Sequence, residues 1–221
     1  MAVALAGTLV QNSRELVALY KNQIRRLGFT GRAMFYASED AHSDKLRTHA
    51  KALDRHAVGG AAVLDLGCGY GELLRHYCPP GPYVGVDMVP EFVAEARRRY
   101  PAREFILGDV LSVHAPVRSD WVVLAGVLSS VPEPAALLSA AAGVARAGLV
   151  FDITLTERLP VEFKELNRLS RAEVLQALET TGLEIVEVED IGSSWILFVC
   201  ARREGVPRAI GSAPKGPYAE P

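Results

Sequence analysis

The stretch V-L-D-L-G-C-G-Y-G, residues 63–71, decides the fold. A short apolar run, AAVLDLG (61–67), ends at Gly67, Gly69 and Gly71, so a buried strand feeds a Gly-x-Gly-x-Gly turn. Glycine permits the tight turn and lets a ligand approach the backbone closely. Downstream, strand and helix signals alternate. PYVGVDM (82–88), REFILGD (103–109), DWVVLAGVL (120–128) and AGLVFDITL (147–155) read as four further strands. Helical segments are expected from Gly71 to about Tyr77, after Pro90 with its apolar stripe Phe92, Val93, Ala96 and Tyr100, and over 133–146. Ser170 and Glu173 form a capping box ahead of a helix that Gly182 closes. LEIVEVED (183–190) and SWILFVCAR (194–202) are joined by so short a link that they must pair antiparallel.

Five strands alternating with helices, followed by a hairpin, predict an α/β fold. It is a Rossmann-like, doubly wound, mostly parallel seven-stranded sheet with a C-terminal antiparallel hairpin. Upstream, Leu16, Leu19, Tyr20, Ile24 and Leu27 recur at helical spacing, as do Leu46, Ala50, Leu53 and Ala57. Residues 1–58 are therefore read as an N-terminal helical lid, 59–203 as the main domain, and the Pro- and Gly-rich 204–221 as an unstructured tail.

Composition narrows the function. The 221 residues carry 24 basic and 26 acidic side chains, a net charge of −2, which offers no footprint for a nucleic-acid backbone. Three cysteines, Cys68, Cys78 and Cys200, form no C-x-x-C, which argues against a disulfide framework or structural zinc and points to a cytoplasmic setting. No apolar run reaches the roughly 20 residues of a membrane span, and the apolar start MAVALAGTLVQ lacks the basic leader of a cleaved signal.

Three acidic residues give the glycine turn its chemistry. Asp65 precedes the turn. Asp87 ends the second strand, where a carboxylate can accept from ribose hydroxyls, and Asp109 ends the third. So many carboxylates suit a cationic sulfonium with an ammonium and an adenosine better than a pyrophosphate. In this the sequence resembles the class I S-adenosylmethionine-dependent methyltransferases. VLDLGCGYGELL, YVGVDM, FILGDVL and DWVVLAGVL look like their first four motifs, and the likeness spans roughly residues 40–200.

The resemblance implies a role for each matching residue. Asp65 and the Gly67–Cys68–Gly69 backbone would meet the methionine part of S-adenosylmethionine, and Lys45 its carboxylate. Asp87 would hold the ribose, with Met88 against the adenine. Gly108, Asp109 and Val110 would frame the ring, Asp109 bonding its amino group. Ala125 and Gly126 would border the sulfonium and the acceptor channel. Tyr36, with Tyr20, Met34 and Phe35, is a candidate lid residue, although aromatics at helical spacing also serve as core. His42 is a candidate base against the alternative of a surface histidine. Asp152, with Glu157, is a candidate ligand for a substrate cation. Cys68 reads as a small filler, since no histidine neighbours it in sequence.

The Asn/Asp-Pro-Pro-Tyr/Phe tetrapeptide of enzymes that methylate adenine or glutamine is absent; Ala-Gly-Val-Leu (125–128) stands in its place. No metal is expected. The implied activity is methyl transfer to N, O or C of a small-molecule metabolite, in bacterial secondary metabolism, by a monomer or homodimer without nucleic-acid or membrane partners. The alternatives are a protein or RNA methyltransferase, a non-catalytic S-adenosylmethionine binder, and a nicotinamide enzyme. Gly-x-Gly-x-Gly and the closing hairpin disfavour the last of these.

Overall fold

A computed structural model describes residues 13–110, 119–158, 168–192 and 195–202; the apolar start and the tail at 204–221 lie outside them. Seven strands form one sheet: β1 (Val63–Leu66), β2 (Tyr83–Asp87), β3 (Glu104–Leu107), β4 (Ser119–Leu124), β5 (Ala145–Ile153), β6 (Leu183–Ile191) and β7 (Trp195–Arg202). Their order across the sheet is β3-β2-β1-β4-β5-β7-β6. The first five run parallel, while β7 slots antiparallel between β5 and β6. Strand order reverses between β1 and β4, and that switch point opens a crevice at the carboxyl ends of both strands.

Every residue of β1 is buried, as expected of a central strand covered on both faces. One face carries Leu137, Leu138 and Ala141 of α4 (Pro134–Val144) and Val174 and Leu178 of α5 (Arg171–Leu178). The opposite face carries Leu46, Ala50 and Leu53 of α2 (Glu39–His56) and Val93 and Ala96 of α3 (Pro90–Arg99). A third, smaller cluster sits beside the crevice. There Val17, Tyr20 and Ile24 of α1 (Ser13–Leu27) pack on Tyr70, Val89 and Phe92. The segment read as a lid thus acts in two ways: α2 is part of the layer on the sheet, and α1 covers the crevice. No helix among the described residues is long and apolar enough to cross a membrane.

Two elements are shorter than the sequence suggests. The helix expected over 71–77 is one 3₁₀ turn, Glu72–Arg75. Gly71 enters it in the left-handed region (φ 82°) and Pro79–Pro80 block its continuation. The apolar run 120–128 is strand only to Leu124, because Gly126 (φ 79°) turns the chain out of the sheet. Ala125, Gly126 and Val127 thereby line the crevice, while Leu128 returns to the core.

At α5 the Ser170 hydroxyl accepts from the Glu173 N–H, and the Glu173 carboxylate accepts from the Ser170 N–H, which completes the capping box. Ser170→Ala should cost about 1 kcal/mol of stability, seen as a lower urea midpoint with an unchanged slope.

Candidate active site

The glycine turn after β1 is tight because its neighbours leave no room for a side chain. A Cβ at Gly67 (φ 77°) would collide with Val127, and one at Gly69 (φ 55°) would meet the Met34 methyl at 2.8 Å. The turn is pinned by Asp87, whose Oδ2 accepts from the Gly69 N–H at 2.9 Å and whose Oδ1 accepts from the Val89 N–H at 2.8 Å. Burial nevertheless outweighs these bonds and raises the Asp87 pKa to about 6. Asp65, near the end of β1, accepts the Tyr83 hydroxyl at 2.6 Å, its one hydrogen bond among the described residues, and burial pushes its pKa up to about 7. Asp109 accepts from the Ser13 hydroxyl of α1 at 2.9 Å.

A cavity of about 70 Å³ lies over the turn. Asp87, Met88, Val110, Gly67, Ala125 and Gly126 line its floor and sides, while Leu16 and Tyr20 of α1, with Met34 and Tyr36, form its roof. The Tyr20 phenol bonds Ser130, on the loop after β4. Lys21 of α1 pairs with Glu91 at 3.4 Å. A second small cavity, lined by His42, Asp65, Cys68 and Glu72 among others, opens behind Gly67. Of the residues singled out in the sequence, Tyr36, Gly67, Asp87, Met88, Val110, Ala125 and Gly126 line the first cavity, and His42, Asp65 and Cys68 line the second. Gly108 lines neither cavity; its N–H donates to the Asp87 carbonyl.

Several expectations change. Lys45, expected at a cofactor carboxylate, instead points at Asp152: its Nζ lies 2.6 Å from Oδ2, and both side chains are almost wholly buried. Asp152, expected to take a substrate cation, already holds one of the chain's own and is closed to solvent. It lies within β5, next to the strand's last residue. Glu157 accepts from the Arg171 N–H, away from the crevice. His42 is buried and stacked on Tyr36 at 4.3 Å. Burial, then the charges of Lys45 and Arg75, lower its pKa to about 4, a poor match for a base at neutral pH. The Cys68 thiol is packed so closely that a Cβ at Gly85 would lie 2.8 Å from its Sγ, and burial pushes its pKa well up. It is a filler.

Two participants were not legible beforehand. Glu72, buried at the second cavity, pairs with Arg75 and Arg99. His49, noted in the sequence only for sharing a helical face with His42, approaches Asp152 at 3.1 Å. Glu72 falls inside the stretch VLDLGCGYGELL but that likeness gives it no role, and His49 lies in no motif; each depends on which side chain turns inward on folding. Among the described residues no group of three metal-ligating side chains converges.

Comparison with known proteins shows what this chain is similar to. Residues 63–148 match the model of a methyltransferase domain. Over 99 residues the chain is 37% identical to a trans-aconitate 2-methyltransferase of Methylobacterium nodulans, covering 43% of this chain and 38% of that one. Over 102 residues it is 32% identical to a ubiquinone biosynthesis O-methyltransferase of Xylella fastidiosa, covering 42% and 41%. The chain thus spans less than half the length of these curated relatives. Among solved structures, magnesium protoporphyrin IX methyltransferase from Synechocystis PCC 6803 superposes with a TM-score of 0.66 at 18% identity, over 85% of this chain and 97% of that one. An amino pentose methyltransferase from Micromonospora echinaspora gives 0.62 at 20%, over 73% and 92%. Residues 63–148 therefore match a methyltransferase domain, and the strand order with its reversed final hairpin is a fold shared with solved methyltransferases.

Proposed function

We propose that the crevice binds S-adenosylmethionine and that the chain directs its methyl group to a small-molecule acceptor. The observation that carries this is that three adjacent parallel strands, β1, β2 and β3, bring Asp65, Asp87 and Asp109 to one edge of the sheet beside a left-handed glycine turn. The residues fit the donor chemically. Asp87 offers ribose hydroxyls a buried carboxylate. Asp65, short of donors, gains a partner if the donor's ammonium arrives. Asp109, Val110 and Met88 would meet the adenine. The donor would supply an electrophilic methyl on a sulfonium, and Ala125, Gly126 and Tyr36 wall the space where an acceptor would meet it.

The chain's own contribution is orientation and exclusion of water, which together can supply about 7–11 kcal/mol of barrier lowering. The roof serves that purpose. Pockets for ligands of this size occupy at least about 300 Å³, so a cavity of about 70 Å³ requires Leu16, Tyr20, Met34 and Tyr36 to retract for entry and return afterwards. A roofed crevice favours a small acceptor over a protein or RNA segment, and the two curated relatives carry the names of small-molecule methyltransferases. Which atom receives the methyl would be found by a metabolite screen with labelled donor.

Calorimetric titration with S-adenosylhomocysteine should show binding where NADH shows none. Asp87→Asn, which keeps an acceptor for the turn but removes the charge, should weaken that binding by about 1–3 kcal/mol.

A second prediction follows from the raised pKa of Asp65. Its carboxyl is largely uncharged below about pH 7, so affinity for an ammonium-bearing ligand should rise between pH 6 and pH 8 in the native chain. Asp65→Asn should flatten that rise. In the ligand-free chain the sign is opposite. The unfolded carboxyl ionises near 3.8 and the folded one near 7, so stability is lost as pH climbs between them. Asp65→Asn should therefore raise the urea midpoint at pH 8, by at most about 4 kcal/mol of stability, with the difference vanishing towards pH 4.

A further inference from the structure

Asp152 is fully buried at the carboxyl end of β5 and is engaged from two elements at once. From the loop after β4, the Gly126 N–H donates to Oδ1 at 2.6 Å. From α2, Lys45 Nζ lies 2.6 Å from Oδ2 and His49 Nε2 lies 3.1 Å from Oδ1. The other ring nitrogen of His49 sits 2.9 Å from the Lys45 carbonyl oxygen, which ties the two α2 residues together. The Lys45 ammonium lies 4.3 Å from the centre of the Trp195 ring and 5.4 Å from that of Tyr36. Tyr36 in turn roofs the cavity whose floor includes Gly126. Its hydroxyl stands so close to Gly126 that a Cβ there would collide with it.

We infer that Asp152 is a positioning residue that couples occupancy of the crevice to the closed placement of α2 and Tyr36. One carboxylate connects the floor, through Gly126, to the roof, through Lys45. A buried ion pair contributes little net stability, because desolvating both charges offsets their attraction. It does impose register: with Asp152 in place, Lys45 has one low-energy position, and the left-handed turn at Gly126 has its amide satisfied. A ligand that presses on the Ala125–Val127 wall therefore acts on the same group that holds the helix behind the roof. This deepens the donor-site reading and rests on it.

Trp195 reports on the coupling, because the Lys45 ammonium lies over its ring. The chain has two tryptophans, so Trp121→Phe leaves Trp195 as the sole indole. In that variant, titration with S-adenosylhomocysteine should change the emission with the same midpoint that calorimetry gives. Adding Asp152→Asn should abolish the emission change and weaken binding by about 5- to 150-fold, the usual span of a coupling between sites. Adding Asp152→Asn together with Lys45→Met, which leaves no charge unpaired, should also lack the emission change, and it carries the comparison if the single substitution does not fold. Binding to Trp121→Phe without an emission change would overturn the inference while leaving the donor site intact. So would a wild-type response and affinity in the substituted chains. No heat of binding with the unsubstituted chain would overturn the donor reading and this inference together.

Discussion

Burying a carboxylate without a partner is among the most costly things a protein can do, and this sheet buries three of them at its carboxyl edge: Asp65, Asp87 and Asp152. The manner in which each is compensated sets its chemistry. Asp152 has an ammonium, an imidazole and a backbone amide against it, and its pKa falls to about 2 despite complete burial. Asp87 has two backbone amides and ends near 6. Asp65 has one phenol and ends near 7. The first is a closed internal ion pair. The other two keep unmet capacity for donors or positive charge, and they face the cavities beside the glycine turn.

The same edge explains the division of labour among the helices. Parallel strands are covered on both faces, so polar groups that must meet a ligand are confined to strand ends. α2 and α3 fill one face of the sheet, and α4 and α5 fill the other. α1 has no sheet left to cover. Its apolar stripe closes over Tyr70, Val89 and Phe92, with Tyr20 edge-on to Phe35 and Phe92 at ring separations of 5.5 and 5.4 Å. Its polar face is tied down by Ser13 on Asp109 and Lys21 on Glu91. Lys21 and Glu91 are each more than a third exposed, and such pairs contribute little.

Much of this architecture was legible from residues alone because it rests on local rules. Alternation of apolar runs and helical stripes yields a doubly wound sheet, and a link too short for a crossover makes β6 and β7 antiparallel. The capping box at Ser170 needs only its own four residues. Where the sequence misled, a local signal met a non-local limit. The run after Gly71 has helix-forming residues but only a few positions before Pro79, and the apolar run 120–128 looks like uninterrupted strand until Gly126 leaves it.

By itself, then, the sequence determined the sheet, the glycine turn and the placement of Asp65, Asp87 and Asp109 at strand ends, because period, turn chemistry and chain direction are properties of short stretches. Only the tertiary structure decided which of the charged residues face the crevice and which face one another. Lys45 and Asp152 are separated by more than a hundred residues and share no motif. They meet because α2 packs across the face of the sheet where β5 ends, and a lysine and an aspartate brought together out of water neutralise each other instead of serving a ligand.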